Sequence, residues 1–319
     1  VTGDLPTKAE NDGGEATRIE VGETSLSNET TIRYTFKKKQ HTITPLLGFS
    51  AYRRASNTLS ATGKGYSDDN VMWNNMVAVP DKSTYSISTS YYAIQKLSAF
   101  ARLDYNYRSR YYLTVTGRYD GASNFAANNK WAFFPSAAFR WSISKEKFMK
   151  RAWWLDDLSL RLSAGRTGND AISAYRSLAA LTASSKGYVF DGMQPAAFYQ
   201  HRAASPNLTW EKTLSYNIGF DFTMWNGLLG AEVDGFYNWT FDMLTAQGSG
   251  FPSSMGGYYP SVVNKHSIDV RGIDILLTHR NQFMAGGKPF IYGISASLTY
   301  AKSRWLIYSD EPNAPEIWK

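Results

Sequence analysis

Charged residues recur at every second position in parts of this chain, a spacing that places them on one face of a strand. In residues 111–144, "YYLTVTGRYDGASNFAANNKWAFFPSAAFRWSIS", Arg118 and Asp120 share one face, whereas Leu113 and Val115 share the other. Because acids and bases recur in balanced numbers, we predict structural ion pairs rather than a catalytic acid and base. The same spacing selects the candidates for a polar inner face: Arg102, Asp104, Arg118, Asp120, Arg140, Arg161, Asp221, Glu232, Asp234 and Asp274.

Signatures of catalysis and of metal binding are missing from the sequence. The chain contains no G-x-S-x-G elbow, no P-loop and no H-E-x-x-H motif. It has no Cys, and its His residues (His41, His201, His266 and His279) lack the spacing of metal ligands. We therefore predict that the chain is not an enzyme and needs neither a cofactor nor a metal.

The long polar segments contain aromatic residues whose ring faces suit stacking on sugars or packing on a partner protein. An alternative that the sequence leaves open is that these rings pack the loops against one another. The candidates for contact with a substrate or a partner are Tyr66, Trp73, Tyr188, Phe190, Phe198, Tyr199, Tyr258 and Tyr259.

Strands must position these residues, because an alternation with a period of two runs through the whole chain. We expect Arg102 and Asp104 to pair with Arg118 and Asp120 across a hairpin. The alternation predicts about ten antiparallel strands: Glu29–Phe36, Thr42–Arg53, Leu97–Tyr107, Tyr111–Asp120, Phe133–Ser144, Leu158–Arg166, Thr213–Met224, Leu228–Asn238, Val270–His279 and Phe290–Lys302.

The predicted connections alternate between short and long, as they do in an up-and-down sheet. Short connections include "KKKQH", "RSR" and "WNG", whereas the long ones are residues 54–96, 121–132, 167–212 and 239–269. Short turns on one rim and long loops on the other are typical of an outer-membrane barrel. The segment "KEKFMKRAWW" is predicted to form a short helix at the membrane interface.

The composition excludes a helical membrane protein and argues against a nucleic-acid partner. The chain is 43% hydrophobic and 19% charged, and its mean hydropathy is -0.38. No apolar run reaches the ~20 residues of a transmembrane helix, whereas the alternating strands of a membrane barrel average to such a mild hydropathy. The net charge of +7 comes from Lys and Arg spread along the chain. The one tight run, at residues 37–39, is interpreted as a solvated turn.

Aromatic residues near the strand ends favour a barrel over a soluble sandwich, because aromatic belts mark both membrane interfaces of a barrel. We predict an all-β fold that forms part of the wall of an antiparallel, up-and-down transmembrane β-barrel, with short periplasmic turns and long extracellular loops. The residues expected in the belts are Tyr107, Tyr111 and Tyr112 at one rim, Trp131, Phe133 and Phe134 at the other, and Trp225 in a turn.

Several long motifs follow one another in order between about residues 25 and 305: residues 108–149, then "WLDDLSLRLSAGRTGNDAISAY", "NLTWEKTLSYNIGFDF", "NGLLGAEVDGFYNWTFDML" and "VRGIDILL". Together they resemble the SusC/RagA-type TonB-dependent outer-membrane transporters. Where relatives often carry Arg before Phe125, this chain has Asn124. The residues that carry the resemblance include Arg118, Asp120, Gly121, Ser123, Phe125, Trp131, Phe134, Pro135, Ser136, Trp141, Leu160, Arg161, Gly165, Thr167, Gly168 and Asn169.

The resemblance implies a barrel of about 22 strands filled by an N-terminal plug. Residues 1–319 would supply part of the wall, and we interpret both ends as cuts through a longer protein that also holds the plug and the closing strands. The family implies the outer membrane of a Gram-negative, Bacteroidetes-type bacterium, a SusD-like lipoprotein as a lid, and TonB-energised import of glycans, glycan fragments or peptides. The inner charges would then contact the plug, and the loop aromatics would contact the substrate or the lid.

Three other functions stay open at this point. A soluble or surface-bound carbohydrate-binding or adhesin module would also be rich in β-strands, and a passive porin would have a similar wall without a plug. An outer-membrane lipase would need a Ser/His pair that reaches the lipid face, and His279 is the only His at a predicted outward position.

Overall fold

The computed structural model describes residues 14–66, 74–79, 81–184, 193, 197–247 and 258–308. The chain divides into two compact units, one formed by Val1–Asn28 with Tyr52–Gln95 and one formed by Glu29–Ala51 with Lys96–Lys319. Strands dominate both units. In the described part of the chain, no helix is long and apolar enough to cross a membrane.

The first unit contains parts of three long strands, β1 (Gly14–Arg33), β3 (His41–Tyr66) and β4 (Ser86–Tyr107). Ion pairs between Glu23 and Arg54, at 2.6 Å, and between Glu15 and Lys64, at 3.1 Å, connect β1 to β3. Residues 54–66 and 86–96 are therefore strand, so the prediction of a loop over the whole of residues 54–96 was wrong. Segments such as "SNTLSATGKG" are mostly polar on both faces, so no hydrophobic alternation marks them as strands.

The further strands are β2 (Phe36–Lys38), β5 (Tyr111–Ala122), β6 (Trp131–Ser142), β7 (Leu155–Asn169), β8 (Ala180–Ser184), β9 (Ala197–Arg202), β10 (Glu211–Met224), β11 (Leu229–Phe241), β12 (Leu244–Ala246), β13 (Val262–Asn264), β14 (Ser267–Ala285) and β15 (Lys288–Ile307). The second unit holds most of an antiparallel sheet with the order β1-β3-β4-β5-β6-β7-β10-β11-β14-β15, in which β2 pairs with β3. Within the described residues β1 and β15 end this order, so the sheet is not closed. Two strand pairs, β8–β9 and β12–β13, lie outside it.

Tight turns fix the register on one rim of this sheet. Gly286 and Gly287 connect β14 to β15 with φ values of +56° and +78°, the left-handed geometry that suits two-residue hairpins. Arg108 and Ser109 adopt similar positive φ values between β4 and β5, although they are not glycine. The predicted helix after β6 is instead two short 3₁₀ helices, Ile143–Lys145 and Lys147–Arg151, so the predicted strand Phe133–Ser144 ends at Ser142.

The apolar residues of successive strands share one face, and that face is exposed. Leu47 is 63% exposed and Leu298 is 64% exposed, and Leu103, Ile218 and Ile273 are exposed as well. In a sandwich, a second sheet would bury this face. An exposed apolar face on a sheet of this size is instead the surface that a barrel presents to lipid. We call it the outward face, and we call the opposite face the inward face.

The sheet has little conventional core, and its most buried cluster lies among the long connections. We define the loop core as Ala122, Phe125, Phe134, Leu208 and Trp210, which are all at most 7% exposed. These residues come from the end of β5, from the β5–β6 connection, from β6 and from the end of the β7–β10 connection. Leu244 and Val262, from the β11–β14 connection, pack against them. The loop core therefore joins three connections on one rim.

Candidate functional site

An ion-pair cluster around Arg161 occupies the inward face where β7, β10 and β11 meet. The Arg161 guanidinium donates to both carboxylate oxygens of Asp221, with Nη2 2.7 Å from Oδ1, and to both oxygens of Asp234, with Nη2 2.8 Å from Oδ2. Bidentate pairs of this kind are the strong, geometrically specific ones. Arg161 lies opposite Gly219, whose missing side chain provides the space for the guanidinium.

Arg118 and Arg102 each pair with an acid two residues further along the same strand. Arg118 Nε donates to Asp120 Oδ1 at 2.7 Å, and Arg102 Nε donates to Asp104 Oδ2 at 2.9 Å. The predicted pairing across the hairpin was wrong, because the register sets Arg102 opposite Thr116. The acid and base of each pair are next neighbours on one face, so alternation creates the pair without help from the adjacent strand.

Hydroxyl groups from neighbouring strands extend these pairs across the sheet. Arg118 Nη2 donates to Ser98 Oγ at 2.7 Å, and Thr114 donates to Asp104 at 2.7 Å. An open groove of about 540 Å³ runs along the inward face here, lined among others by Arg118, Asp120 and Ser136. The groove thus presents charges in fixed positions beside small and apolar side chains such as Ala138 and Phe134.

The remaining inward candidates differ in how they are paired. Arg140 donates to Asp157 at 3.4 Å and to Ser159 at 3.1 Å. Glu232 lies opposite Asp221 and Leu276, and Asp274 lies opposite Asp234 and Thr299. Neither Glu232 nor Asp274 forms an ion pair with any residue that the structure describes. These two carboxylates are therefore available to a group that contacts this face.

The loop core is held by polar contacts as well as by packing. The Trp210 ring lies 4.9 Å from Phe125 and 5.4 Å from Phe134, and its Nε1 donates to the Lys130 carbonyl at 3.0 Å. Asn264 Nδ2 donates to the Thr209 carbonyl at 2.8 Å. The described parts of the β5–β6, β7–β10 and β11–β14 connections thus pack together at the rim.

The aromatic loop candidates divide into buried, exposed and undescribed residues. Tyr66 is only 5% exposed and packs with Val79 in the first unit, so the expectation of an exposed ring was wrong for it. Phe198, on β9, is 73% exposed, and Tyr199 and Tyr258 are exposed too. Tyr259 is partly buried. Trp73, Tyr188 and Phe190 lie outside the described residues.

Aromatic belts lie on the outward face at both rims, with two corrections to the predicted members. On the turn side, Tyr107, Tyr111 and Trp141 form a row with 6.3 Å between successive rings. On the loop side, Tyr119 stacks on Trp131 at 5.1 Å. Tyr111 and Tyr119 lie eight residues apart, about 26 Å along a strand at 3.3 Å per residue. At a strand tilt of about 40° this distance covers about 20 Å of an apolar band that is about 25 Å tall.

The prediction of belt residues was wrong for Tyr112 and Phe134. Both occupy even-numbered positions on β5 and β6, which point inward, and the hydroxyl of Tyr112 donates to the Ser109 carbonyl at 3.1 Å. Phe134 belongs to the loop core. In a strand, moving one residue along reverses the face, so closeness to a rim did not determine the face.

A carboxylate on the turn-side rim secures the end of the turn-side belt. Glu146 accepts hydrogen bonds from the Tyr111 hydroxyl at 2.6 Å and Trp141 Nε1 at 3.2 Å, and it pairs with Arg110 at 3.1 Å. The pKa of the Glu146 carboxyl lies below its ordinary value, first because of the Tyr111 hydrogen bond and further because of Trp141 and Arg110. The charged carboxylate therefore stabilises this turn.

Acid is expected to loosen the turn that holds Glu146. A carboxyl whose pKa is lowered by folding contributes stability above its unfolded pKa and loses that stability as the pH falls through the folded value. Amide hydrogen exchange in residues 142–154 should therefore accelerate, relative to the rest of the protein, between neutral pH and about pH 3. Glu146→Gln should show faster exchange at neutral pH and a flatter pH profile, and an unchanged wild-type profile would contradict this role.

The described residues contain no group of three or more acids, His or Cys that could hold a metal ion. His279, the residue that a lipase would need on the lipid face, has Nε2 2.9 Å from the Tyr292 hydroxyl, a hydrogen-bonding pair in an aromatic belt. The geometry instead supplies fixed charges inward, apolar side chains outward and a packed platform of loops.

Comparison with known proteins identifies this arrangement. The family model for the TonB dependent receptor-like β-barrel matches residues 4–316, nearly the whole chain. The chain belongs to the TonB-dependent receptor family. The all-β, antiparallel, partial-barrel fold and the outer-membrane location predicted from the sequence are thereby confirmed.

Individual relatives agree with this assignment. A TonB-dependent receptor of Formosa agariphila is 35% identical over 234 residues, which are 73% of this chain and 23% of that protein. The TonB-dependent receptor SusC of Bacteroides thetaiotaomicron is 36% identical over 178 residues, 54% of this chain and 18% of SusC. This TonB-dependent receptor chain thus spans about a quarter, or less, of the length of the curated relatives that it matches.

Solved structures show the same fold. The RagAB peptide importer in its closed-closed state superposes with a TM-score of 0.79 at 26% identity, over 92% of this chain and 31% of the importer chain. The outer-membrane transporter YddB of Escherichia coli, at 11% identity and a TM-score of 0.59, shares the fold alone. The predicted resemblance to SusC/RagA-type TonB-dependent transporters is confirmed.

Sequence reasoning missed several residues that build the rim of this TonB-dependent receptor segment. Glu211 accepts from Asn169 Nδ2 at 3.0 Å and from the Leu244 backbone at 3.0 Å, and so it connects two loops. Asn264 and Trp210 were not selected either. The available signal was the segment "NLTWEKT", in which Trp210 is the one aromatic residue and lies directly before β10.

Proposed function

We propose that this chain forms part of the wall of a TonB-energised importer of large nutrients, which are glycans, glycan fragments or peptides. The observation that carries the proposal is the fixed inward network of Arg161, Arg118 and Arg102 with their acids, on a wall whose other face is apolar. Such a polar interior suits a barrel that holds a plug, because the plug can be gripped by hydrogen bonds and ion pairs and then released.

The inward groove supports contact with a folded plug rather than with water alone. Glu232 and Asp274 have no ion-pair partner among the described residues, and both face the same side as Asp221 and Asp234. Basic or amide groups of a plug would satisfy them. The exposed rings of Phe198, Tyr199 and Tyr258, on connections at the loop rim, suit contact with substrate or with a SusD-like lid.

The proposal is tested by uptake through the protein expressed from its complete gene in a strain that lacks it. Fluorescent oligosaccharides and oligopeptides are supplied with and without inactivation of TonB. Uptake of one class that requires TonB supports the importer, whereas TonB-independent uptake of all small probes supports a passive porin. Co-purification of a surface lipoprotein tests the lid, and solubility without detergent would favour the adhesin module.

Reversal of the charge at Arg118 is expected to lower import several-fold without preventing insertion in the outer membrane. Arg118→Glu places a second carboxylate beside Asp120 and removes the hydrogen bond to Ser98, so the local charge presented to a plug is inverted. Uptake is measured beside heat-modifiable gel mobility, which reports the folded barrel. Arg118→Lys, which keeps the charge, is the control, and normal uptake by Arg118→Glu would exclude the role.

A further inference from the structure

Two arginines lie close together in the β7–β10 connection at the loop rim. Arg202 ends β9, and its guanidinium donates to the carbonyl of Tyr175 at 3.0 Å and to that of Leu178 at 3.3 Å. Arg176 directly follows Tyr175, so the two cations are neighbours. The pKa of the Arg202 guanidinium lies below its ordinary value, first because of burial and further because of Arg176. The surroundings of Arg202 therefore disfavour its charge.

No acid in the described part of this connection balances the two arginines. Asp170 is the one acid in residues 170–184, 193 and 197–210, and it pairs with Lys96 at 2.6 Å. Neither arginine forms an ion pair with any residue that the structure describes, and Arg176 forms no hydrogen bond there either. Two half-buried like charges are costly, because they repel each other and have lost part of their water. An anion that accepts from both guanidinium groups would offset this cost.

Exposed tyrosine rings lie beside the two arginines. Tyr199 is on the same face of the β8–β9 strand pair as Arg202, since their partners on β8 are two residues apart. The β11–β14 connection reaches the same place, because the Tyr259 carbonyl accepts from the amide of Ala203 at 3.3 Å. The ring of Tyr258, the preceding residue, is exposed there. We define the arginine–tyrosine site as Arg176, Arg202, Tyr199 and Tyr258.

We propose that the arginine–tyrosine site binds the carboxylate of a uronic acid in an acidic oligosaccharide, which makes the nutrient an anionic glycan. A guanidinium is a planar fork of donors that matches a carboxylate. A sugar ring also has an apolar C–H face that packs on exposed tyrosine rings, whereas the acidic side chain of a peptide has no such face. The inference rests on the proposed function, because it takes the loop rim as the surface that meets the nutrient.

The test measures binding to the protein purified in detergent from its complete gene, by isothermal titration calorimetry in the absence of TonB. The probes are oligomers of galacturonic acid and of glucuronic acid, their carboxyl-reduced neutral forms, and oligoglutamate. Loss of a charge-assisted hydrogen bond weakens binding by about tenfold. Arg176→Gln leaves the carbonyl bonds of Arg202 in place, and it should raise the Kd for a uronate oligomer by about tenfold. Arg176→Lys, which keeps the charge, should retain most of the affinity.

Lys130→Gln is the matched control, because Lys130 is an exposed cation on the β5–β6 connection of the same rim. It should bind the uronate oligomers as the unmodified protein does. The site would be overturned if the unmodified protein bound neither uronate oligomer, or if Arg176→Gln lost no more affinity than Lys130→Gln. Equal binding of the neutral forms would exclude the carboxylate, and a preference for oligoglutamate would overturn the assignment to a glycan.

Uptake is assayed separately, so that the two proposals can fail independently. Uronate binding that depends on Arg176, together with uptake that does not require TonB, would count against the importer alone. TonB-dependent uptake of a neutral glycan or a peptide, together with no uronate binding, would count against the arginine–tyrosine site alone.

Discussion

Replacement of Trp210 with alanine is expected to release the three long connections from one another while the strands stay paired. Trp210 is 5% exposed, contacts the rings of Phe125 and Phe134, and donates to the Lys130 carbonyl. Removal of a buried Trp costs about 3–5 kcal/mol, because the site loses transfer free energy and keeps a cavity. The cost is local, since the hydrogen bonds of the main sheet do not involve this side chain.

The measurement is limited proteolysis and hydrogen exchange of the loops, beside the gel mobility of the folded barrel. Cleavage in residues 123–130, 170–184, 197–210, 242–247 and 258–266 should accelerate together, because residues of all three connections pack in or against the cluster that contains Trp210. Trp225→Ala is the control, since Trp225 lies in a turn and is 44% exposed. Acceleration confined to a single connection, or equal acceleration in both variants, would show that the loop core does not act as one unit.

A single methyl group at Gly219 is expected to break the Arg161 cluster. A Cβ on Gly219 would lie 2.8 Å from Arg161 Cζ and closer still to an Asp234 carboxylate oxygen, so the guanidinium must leave its position. Each charged group left without its hydrogen bonds costs about 1–3 kcal/mol. Because the Arg161 side chain is about a third exposed and solvent screens part of this cost, we expect Gly219→Ala to lower the free energy of unfolding by about 2 kcal/mol.

Gly235→Ala is the matched control on the adjacent strand. A Cβ there meets Ile218 Cγ2 at 3.5 Å, an ordinary contact on the outward face, and Gly→Ala in compatible geometry is neutral or stabilising by about 0.4–1 kcal/mol. The free energies of unfolding of both variants are measured by urea denaturation in lipid bilayers. If the clash acts through Arg161, then Gly219→Ala should lower the free energy of unfolding only slightly when Arg161 has already been replaced with Ala. Full additivity of the two substitutions would contradict the mechanism.

The alternation of residues predicted the face of each charged side chain but not its ion-pair partner. Every inward candidate lies on the predicted face, because the side of a strand is fixed by counting residues in twos. The partner was not fixed in the same way. Arg118 pairs with Asp120 on its own strand, whereas Arg161 reaches Asp221 and Asp234 on two others, and only the register and the space at Gly219 distinguish the two cases. Their contact with a plug stays a prediction.

The sequence by itself determined the alternation in most of the strands, the outward and inward faces, three of the four long connections and the family. These properties repeat every second residue or lie in contiguous motifs, so they can be read locally. Only the tertiary structure decided that residues 54–66 and 86–96 are strands, that Phe134 turns inward to meet Trp210, and that Arg161 reaches both Asp221 and Asp234. Each of these depends on residues far apart in the chain, whose meeting is set by register and packing rather than by local periodicity.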